Sequence, residues 1–280
     1  MDSLVSTDWL AGELGEPGLV VVDASNHLPS AGRDARDEYL AGHIPGARFL
    51  DLASLVDKDS AVPAALPRPE QLAQRLAELG VQPANRIVLY DDSAVKTSAR
   101  AWFLLHAHGI ESVAILDGGL AKWKAEGRAL ESNETDITET NAVKLPSPHS
   151  IRFKAEMLAN LDSGAEQVLD ARDPGRYSGR VEDTVHNLPS GHIPGSCNLP
   201  FVQLFRDDGT FKARDELRQA FEATGIDLDR PIVTTCGSGV TASALLFALH
   251  LIGHENWALY DGSWLDWGSD PDTPKATVSL

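Results

Sequence analysis

The sequence predicts an α/β protein made of two tandem domains, each a parallel sheet flanked by helices. Two observations support this prediction. Blocks of the first half recur in the second half, displaced by between 144 and 149 residues. Within each half, short apolar runs alternate with segments of helical periodicity, which is the pattern of a parallel sheet covered by helices.

The internal repeat consists of four blocks that keep their order. They are the Asp-Ala pairs at 23–24 and 170–171, the GHIPG motifs at 42–46 and 191–195, the apolar segments at 86–109 and 231–253, and the Asp-Gly pairs at 117–118 and 261–262. Residues 132–150 are rich in Ser, Thr, Asn and Pro and lack helical periodicity, which indicates a linker. We therefore expect domains at 1–145 and 146–280.

Short apolar runs predict buried strands, and apolar residues spaced three or four positions apart predict amphipathic helices. Longer segments that are apolar nearly all round predict buried helices. The expected strands are Leu19–Val22, Ile87–Tyr90, Val113–Leu116, Val168–Leu169 and Ile232–Thr235. The expected amphipathic helices are Pro69–Leu79 and Asp215–Ala223, and the expected buried helices are Thr97–His108 and Thr241–Leu251.

The overall charge limits the classes of partner. The 280-residue chain has a formal net charge of −17, so it repels phosphate backbones, and we expect no nucleic-acid partner. Its first residues lack the basic and apolar regions of a signal peptide, and no run is long enough to span a membrane. We expect a cytoplasmic protein with reduced thiols and no membrane partner.

One cysteine lies in a setting suited to nucleophilic chemistry. Cys236 follows the strand at 232–235, and Gly237, Ser238 and Gly239 lead from it into a helix. Ligands gather at the carboxyl ends of parallel strands, and glycines allow a tight loop with inward-pointing amides. Those amides and the helix N-terminus favour a thiolate or a persulfide anion.

The other turns of the chain lack this combination. The first copy has Asp91 in place of the cysteine, so only the second copy offers cysteine chemistry. We assign no role to the remaining cysteine, Cys197. A cysteine phosphatase would need an arginine six residues after the cysteine to hold phosphate, and that position is Ala242.

These motifs resemble a known family. The segment CGSGVTA at 236–242, the two GHIPG blocks and the closing DGG and DGS motifs are similar to those of tandem-domain rhodaneses, and particularly of 3-mercaptopyruvate sulfurtransferases. The resemblance extends from about residue 4 to residue 270. It implies two rhodanese-like domains and an enzyme that moves sulfur through a persulfide on its cysteine.

The resemblance also implies roles for individual residues. Cys236 would be the catalytic cysteine and Ser238 a hydroxyl that assists it. The remaining candidates would bind the donor: Arg176, which matches the arginine for the donor's carboxylate or sulfonate, the loop residues Gly237, Gly239, Val240 and Thr241, and Arg180 as a further candidate. Thiosulfate-specific rhodaneses carry basic residues directly after the cysteine, whereas Gly237 and Ser238 are uncharged and better suit a monoanionic donor.

Some family positions differ in this chain. The place of a second arginine falls at Val185, next to His186, and the Asp and His that accompany the loop serine fall near Ala53 and Ala64. An aromatic pair is replaced by Asn26-His27. Whether Arg180, His186 or His27 takes over from the missing residues stays open in the sequence.

The sequence therefore predicts sulfur transfer from 3-mercaptopyruvate to a thiol or cyanide. Two alternatives remain: a thiosulfate:cyanide sulfurtransferase, and a non-enzymatic persulfide carrier. The expected partners are a small sulfur donor, a thiol or cyanide acceptor and a thioredoxin-like reductant. No metal or organic cofactor is expected, because the histidines and cysteines lack metal-ligand spacing.

Overall fold

A computed structural model describes residues 1–62 and 64–278, which form two compact units. Unit 1 contains Met1–Asp57 and Leu66–His149, and unit 2 contains most of the chain from Ser150 onward. One short segment, Arg206–Phe211, belongs to unit 1, and another, Lys58–Ala65, belongs to unit 2. The expected boundary near residue 145 lies in the linker just before the division at residue 150, and it stays a prediction.

Unit 1 is an α/β domain with a five-stranded sheet of order β1-β5-β4-β2-β3, in which every pairing is parallel. Its strands are β1 (Leu4–Val5), β2 (Leu19–Asp23), β3 (Arg48–Phe49), β4 (Arg86–Tyr90) and β5 (Val113–Leu116). Its helices are α1 (Thr7–Glu13), α2 (Ala35–Ala41), α3 (Pro69–Glu78), α4 (Thr97–Ala107) and α5 (Gly119–Ala125).

Unit 2 repeats this topology with the order β6-β10-β9-β7-β8, again parallel throughout. Its strands are β6 (Ile151–Arg152), β7 (Gln167–Asp170), β8 (Cys197–Asn198), β9 (Ile232–Thr235) and β10 (Trp257–Tyr260). Its helices are α6 (Lys154–Ser163), α7 (Pro174–Ser178), α8 (Arg214–Glu222), α9 (Val240–Leu251) and α10 (Ser263–Trp267). The predicted α/β class with two parallel sheets is confirmed.

The central strand of each sheet carries the turn of interest at its carboxyl end. β4 and β9 are buried along their apolar residues, because helices cover both faces of a parallel sheet. The helices that follow them, α4 and α9, are buried nearly all round, as the sequence predicts. No helix in the described part of the chain combines the length and the apolarity needed to cross a bilayer.

The histidines of the two GHIPG motifs have the same structural role. The His43 ring stacks on Tyr39 with centroids 4.0 Å apart, and its Nδ1 lies 2.8 Å from the Tyr39 carbonyl oxygen. The His192 ring stacks on Tyr177 at 4.0 Å, and its Nδ1 lies 2.8 Å from the Tyr177 carbonyl oxygen. Since only one copy carries a cysteine in its central turn, a contact shared by both copies serves the fold.

The first glycines of the two motifs differ in what they tolerate. Gly191 has φ of 122°, and a Cβ there would lie 2.6 Å from the Ala276 carbonyl oxygen. Gly42 has φ of 177°, and its Cβ would lie 3.4 Å from Leu130 Cδ1.

We predict that Gly191→Ala lowers the free energy of unfolding by about 1–3 kcal/mol, the cost of a strained backbone conformation. Denaturant unfolding with Gly42→Ala as the matched control tests this, and equal losses would contradict it.

Candidate active site around Cys236

The cysteine turn begins where β9 ends. Cys236 is 2% exposed, and α9 starts at Val240 after a Gly239 in the left-handed conformation, with φ of 79°. A left-handed residue directly before a helix suits glycine, because a Cβ would be strained there. The turn therefore places the thiol at the carboxyl edge of the sheet and beside the N-terminus of a 12-residue helix.

The start of α10 fixes the orientation of this turn. The amide of Trp264 donates to the Cys236 carbonyl oxygen at 3.0 Å, and the amide of Leu265 donates to the Gly237 carbonyl oxygen at 2.8 Å. The Cys236 amide donates to Ser263 Oγ at 3.2 Å. The C=O and N–H of a trans peptide point in opposite directions, and the described chain has no cis bond. The amides of Gly237 and Ser238 therefore point away from α10.

These amides remain available for a ligand. Within residues 1–62 and 64–278, the N–H groups from Gly237 to Thr241 donate to no protein acceptor. Unpaired amides at a helix N-terminus attract negative charge, because they carry the positive end of the helix dipole. The arrangement can hold an anionic group attached to Cys236.

The equivalent turn of unit 1 already holds an anionic group of its own. Asp91 stands in place of the cysteine and is 6% exposed. Its Oδ1 accepts from the Ser93 amide at 2.9 Å, and its Oδ2 accepts from the Ser98 amide at 2.7 Å. A carboxylate therefore occupies this turn and is held there by two backbone amide donors.

A histidine covers the first glycine of the cysteine turn. A Cβ at Gly237 would lie 2.7 Å from His186 Nε2 and 3.1 Å from Nδ1, so the imidazole occupies the space of a side chain at position 237. The ring is 13% exposed. Its Nδ1 lies 3.3 Å from Asp183 Oδ1, and its backbone amide donates to the same oxygen at 3.1 Å.

The Asp183 carboxylate is buried, and two arginine guanidinium groups lie close to it. Arg176 Nη1 lies 3.6 Å from Oδ1, and Arg172 Nη1 lies 4.0 Å from Oδ2. Burial raises the pKa of Asp183, but the hydrogen bonds from His186 and the charges of His186 and Arg176 outweigh burial and hold this pKa at about 2. Asp183 therefore stays ionised, and it orients His186.

The two predicted arginines lie in different surroundings. Arg176 is 20% exposed and pairs through Nε with Asp173, and its Nη1 lies 3.6 Å from Asp183 Oδ1. Arg180 is exposed after α7, and its backbone amide donates to Gly175 at 3.1 Å. The structure thus brings Arg176, but not Arg180, to the residues that contact the cysteine turn in unit 2.

The remaining predicted residues lie where the turn and α9 join. Ser238, Val240 and Thr241 are half-buried, while Gly237 and Gly239 are buried. Val240 and Thr241 are the first two residues of α9, so their amides belong to the unpaired helix N-terminus. The ring of His27, in unit 1, lies 3.0 Å from Glu38 Oε2 and is 3% exposed.

Sequence reasoning missed Asp183. The signal was local: an aspartate three residues before His186, a spacing at which a carboxylate can accept from the later amide. Arg172, which also lies near Asp183, is a buried residue that pairs with a second aspartate. It binds Asp170 at 2.6 Å and lies 4.4 Å from the Trp264 ring centroid.

Unit 1 contains a separate cavity of about 630 Å³. The three arginines that line it are paired among the described residues: Arg33 with Glu38 at 2.7 Å, Arg36 with Glu134, and Arg75 with Glu78 at 3.3 Å. No group of three or more potential metal ligands occurs among the described residues. The cavity therefore offers no unpaired charge for an anion.

Comparison with known proteins identifies the family. The rhodanese-like domain model matches residues 6–126 and 153–270. The 3-mercaptopyruvate sulfurtransferase of Escherichia coli strain K12 is 38% identical over 275 residues, which is 98% of each chain. The bovine thiosulfate sulfurtransferase is 38% identical over 274 residues, covering 95% of this chain and 91% of that protein.

A solved structure agrees with these relatives. The crystal structure of SseA from Escherichia coli, described as showing the rhodanese fold of 3-mercaptopyruvate sulfotransferases, matches with a TM-score of 0.85 and 37% identity. The match covers 94% of this chain and 99% of that one. The predicted rhodanese-like fold of both domains is confirmed.

The low pKa of Asp183 predicts that the folded protein loses stability at acid pH. Because the folded-state pKa of Asp183 lies near 2, below its ordinary value of 3.8, its contribution to stability is present above pH 4 and is lost as the pH falls from about 4 to about 2. We expect Asp183→Asn to lower the free energy of unfolding at pH 7 by about 3 kcal/mol and to weaken this pH dependence.

The matched control for that experiment is Asp173→Asn. The Asp173 side chain is 50% exposed and also pairs with Arg176, so its loss should cost about 1 kcal/mol or less. Denaturant unfolding at several pH values measures both variants. Equal costs for the two aspartates would show that the buried position of Asp183 has no special weight.

Proposed function

Since the chain belongs to the rhodanese family and is a sulfurtransferase, we propose that Cys236 receives a sulfur atom from 3-mercaptopyruvate as a persulfide and passes it to a thiol or cyanide. The unpaired amides from Gly237 to Thr241 are the observation that carries this proposal. They can stabilise negative charge on the outer sulfur, as the Asp91 turn does for a carboxylate.

The loading step is a displacement at sulfur. The Cys236 thiolate attacks the sulfur of 3-mercaptopyruvate, an S–S bond forms, and the C–S bond breaks. The electron pair of that bond leaves with the carbon as the enolate of pyruvate, and Cys236 carries –S–SH. An acceptor thiolate or cyanide then attacks the outer sulfur, and the Cys236 thiolate leaves. This cycle requires no metal or organic cofactor.

Arg176 is suited to hold the carboxylate of the donor. Its Nε and Nη1 face Asp173 and Asp183, and Nη2 has no protein partner among the described residues. A guanidinium fixed on one side by carboxylates presents its remaining N–H groups in a defined direction, which favours recognition of a planar carboxylate. Ser238 would support the developing charge beside the loop amides.

Two observations bear on which donor is used. Gly237 and Ser238 give the turn no positive charge, which favours a monoanionic donor over the thiosulfate dianion. The bovine thiosulfate sulfurtransferase is as similar in identity as the Escherichia coli mercaptopyruvate enzyme, which keeps thiosulfate as the second candidate. The non-enzymatic carrier is not retained, because the chain is an enzyme.

The free thiols support a proposal for the cellular compartment of the reaction. Cys197 and Cys236 are both free, which fits a reducing compartment, and we propose the cytoplasm. A thioredoxin-like protein is a suitable acceptor, since its thiolate can attack the outer sulfur and its second thiol can release hydrogen sulfide.

The first prediction from this proposal concerns the thiol. Cys236→Ser should abolish thiocyanate formation from cyanide, while Cys197→Ser, the matched control, should keep it. Mass spectrometry of the wild-type protein after 3-mercaptopyruvate should show a gain of one sulfur atom, lost on adding cyanide. Full activity of Cys236→Ser would reject the mechanism.

The second prediction concerns the donor. Ser238→Lys places a cation beside the outer sulfur, and it should raise kcat/KM for thiosulfate relative to that for 3-mercaptopyruvate by about tenfold or more, equivalent to about 1.4 kcal/mol. Ser238→Gln, of similar size but neutral, is the control. An unchanged ratio in the lysine variant would mean that the turn does not select the donor.

A further inference from the structure

The cysteine turn has a second functional group that the loading step leaves unused. His186 reaches the turn from another segment of unit 2 and packs on Gly237, the residue next to the thiol. Its Nδ1 faces Asp183, whereas its Nε2 has no hydrogen-bond partner in residues 1–62 and 64–278. An imidazole held by a carboxylate at one nitrogen is oriented to exchange a proton at the other.

The position of the ring supports the same conclusion. A side chain at position 237 and the His186 ring would compete for the same space, since Nε2 would lie 2.7 Å from a Cβ there. The ring is 13% exposed, so it is largely shielded while its edge stays reachable. Asp183 is itself fixed by Arg176 at 3.6 Å, which limits rotation of the pair.

The sulfur-transfer cycle has two protons to move. Loading releases an enolate, which must gain a proton to become pyruvate. Unloading to a thiol requires that the acceptor lose a proton before it attacks. A single group can serve both, because it gives a proton in the first half and recovers one in the second.

We propose that His186, positioned by Asp183, is this proton carrier, an inference that rests on the function proposed above. In loading, protonated His186 gives its Nε2 proton to the enolate, which yields pyruvate, Cys236–S–SH and neutral His186. In unloading, neutral His186 takes the proton of the acceptor thiol, R–SH. The thiolate then attacks the outer sulfur, giving R–S–SH, the Cys236 thiolate and protonated His186.

Donors and acceptors that need no proton separate this role from a structural one. Thiosulfate transfers its outer sulfur with sulfite as the leaving group, and no carbanion needs a proton. Cyanide attacks the outer sulfur without losing a proton. The proposed carrier is therefore required for 3-mercaptopyruvate and for thiol acceptors, and much less for thiosulfate and for cyanide.

The test uses the 280-residue chain with His186→Asn and His186→Ala. We expect kcat for pyruvate formation from 3-mercaptopyruvate to fall about 100-fold, the usual weight of a general acid, with KM changed little. Loading by thiosulfate should change less than about threefold. Transfer from a preloaded persulfide to 2-mercaptoethanol should slow, while transfer to cyanide should not. Added imidazole should restore part of the activity of His186→Ala.

The control is His254→Asn. His254 lies beyond the C-terminal end of α9, about 18 Å from the turn at 1.5 Å per residue, and its two ring nitrogens lie within hydrogen-bonding distance of backbone carbonyl oxygens. It should behave as wild type. Equal losses for all donors and acceptors, or no rescue by imidazole, would overturn the proton-carrier role while leaving the persulfide intact. Failure of the wild-type protein to gain sulfur would reject the proposed function as well.

Discussion

The orientation of the Cys236 turn depends on two hydrogen bonds that α10 makes to the carbonyl groups of Cys236 and Gly237. These bonds fix the peptide planes that follow the two residues. With them, the trans geometry of each peptide directs its N–H group toward the opposite side, where a sulfur on Cys236 can receive it. A preorganised donor of this kind needs no rearrangement when charge develops during the reaction.

The duplication provides two versions of this turn, one with a cysteine and one with an aspartate at the end of the strand. Both sheets place the turn at the carboxyl end of their central strand. In unit 1 the carboxylate of Asp91 accepts from two backbone amides of its own turn and helix. In unit 2 a thiol stands at the end of the corresponding strand, and the amides from Gly237 to Thr241 have no protein acceptor among the described residues. In the proposed mechanism, the chemistry therefore depends on a cysteine placed at a strand end that both sheets share.

The sequence predicted the class of the fold and part of its elements. The five strands and four helices expected from apolar runs and helical spacing agree with the structure within a residue or two, whereas the short edge strands and α10 were not predicted. The contact between His186, which lies in an irregular segment, and Gly237 joins positions 51 residues apart. Periodicity carries no information about such a segment, and its path is fixed by the buried charges around Asp183. The Arg180 side chain lies exposed on this segment, and its role as a contact of the donor stays a prediction.

The packing of His186 on Gly237 also constrains how this enzyme can diverge. Two side chains cannot occupy one volume, so any gain of a side chain at position 237 must accompany the departure of the ring, and the two positions are expected to vary together. A change from the His186 ring to a side chain at position 237 by single substitutions passes through an intermediate. That intermediate has either neither group or both groups in steric conflict. We therefore expect related sulfurtransferases to fall into two types, one with this histidine packed on a glycine and one with a side chain at position 237.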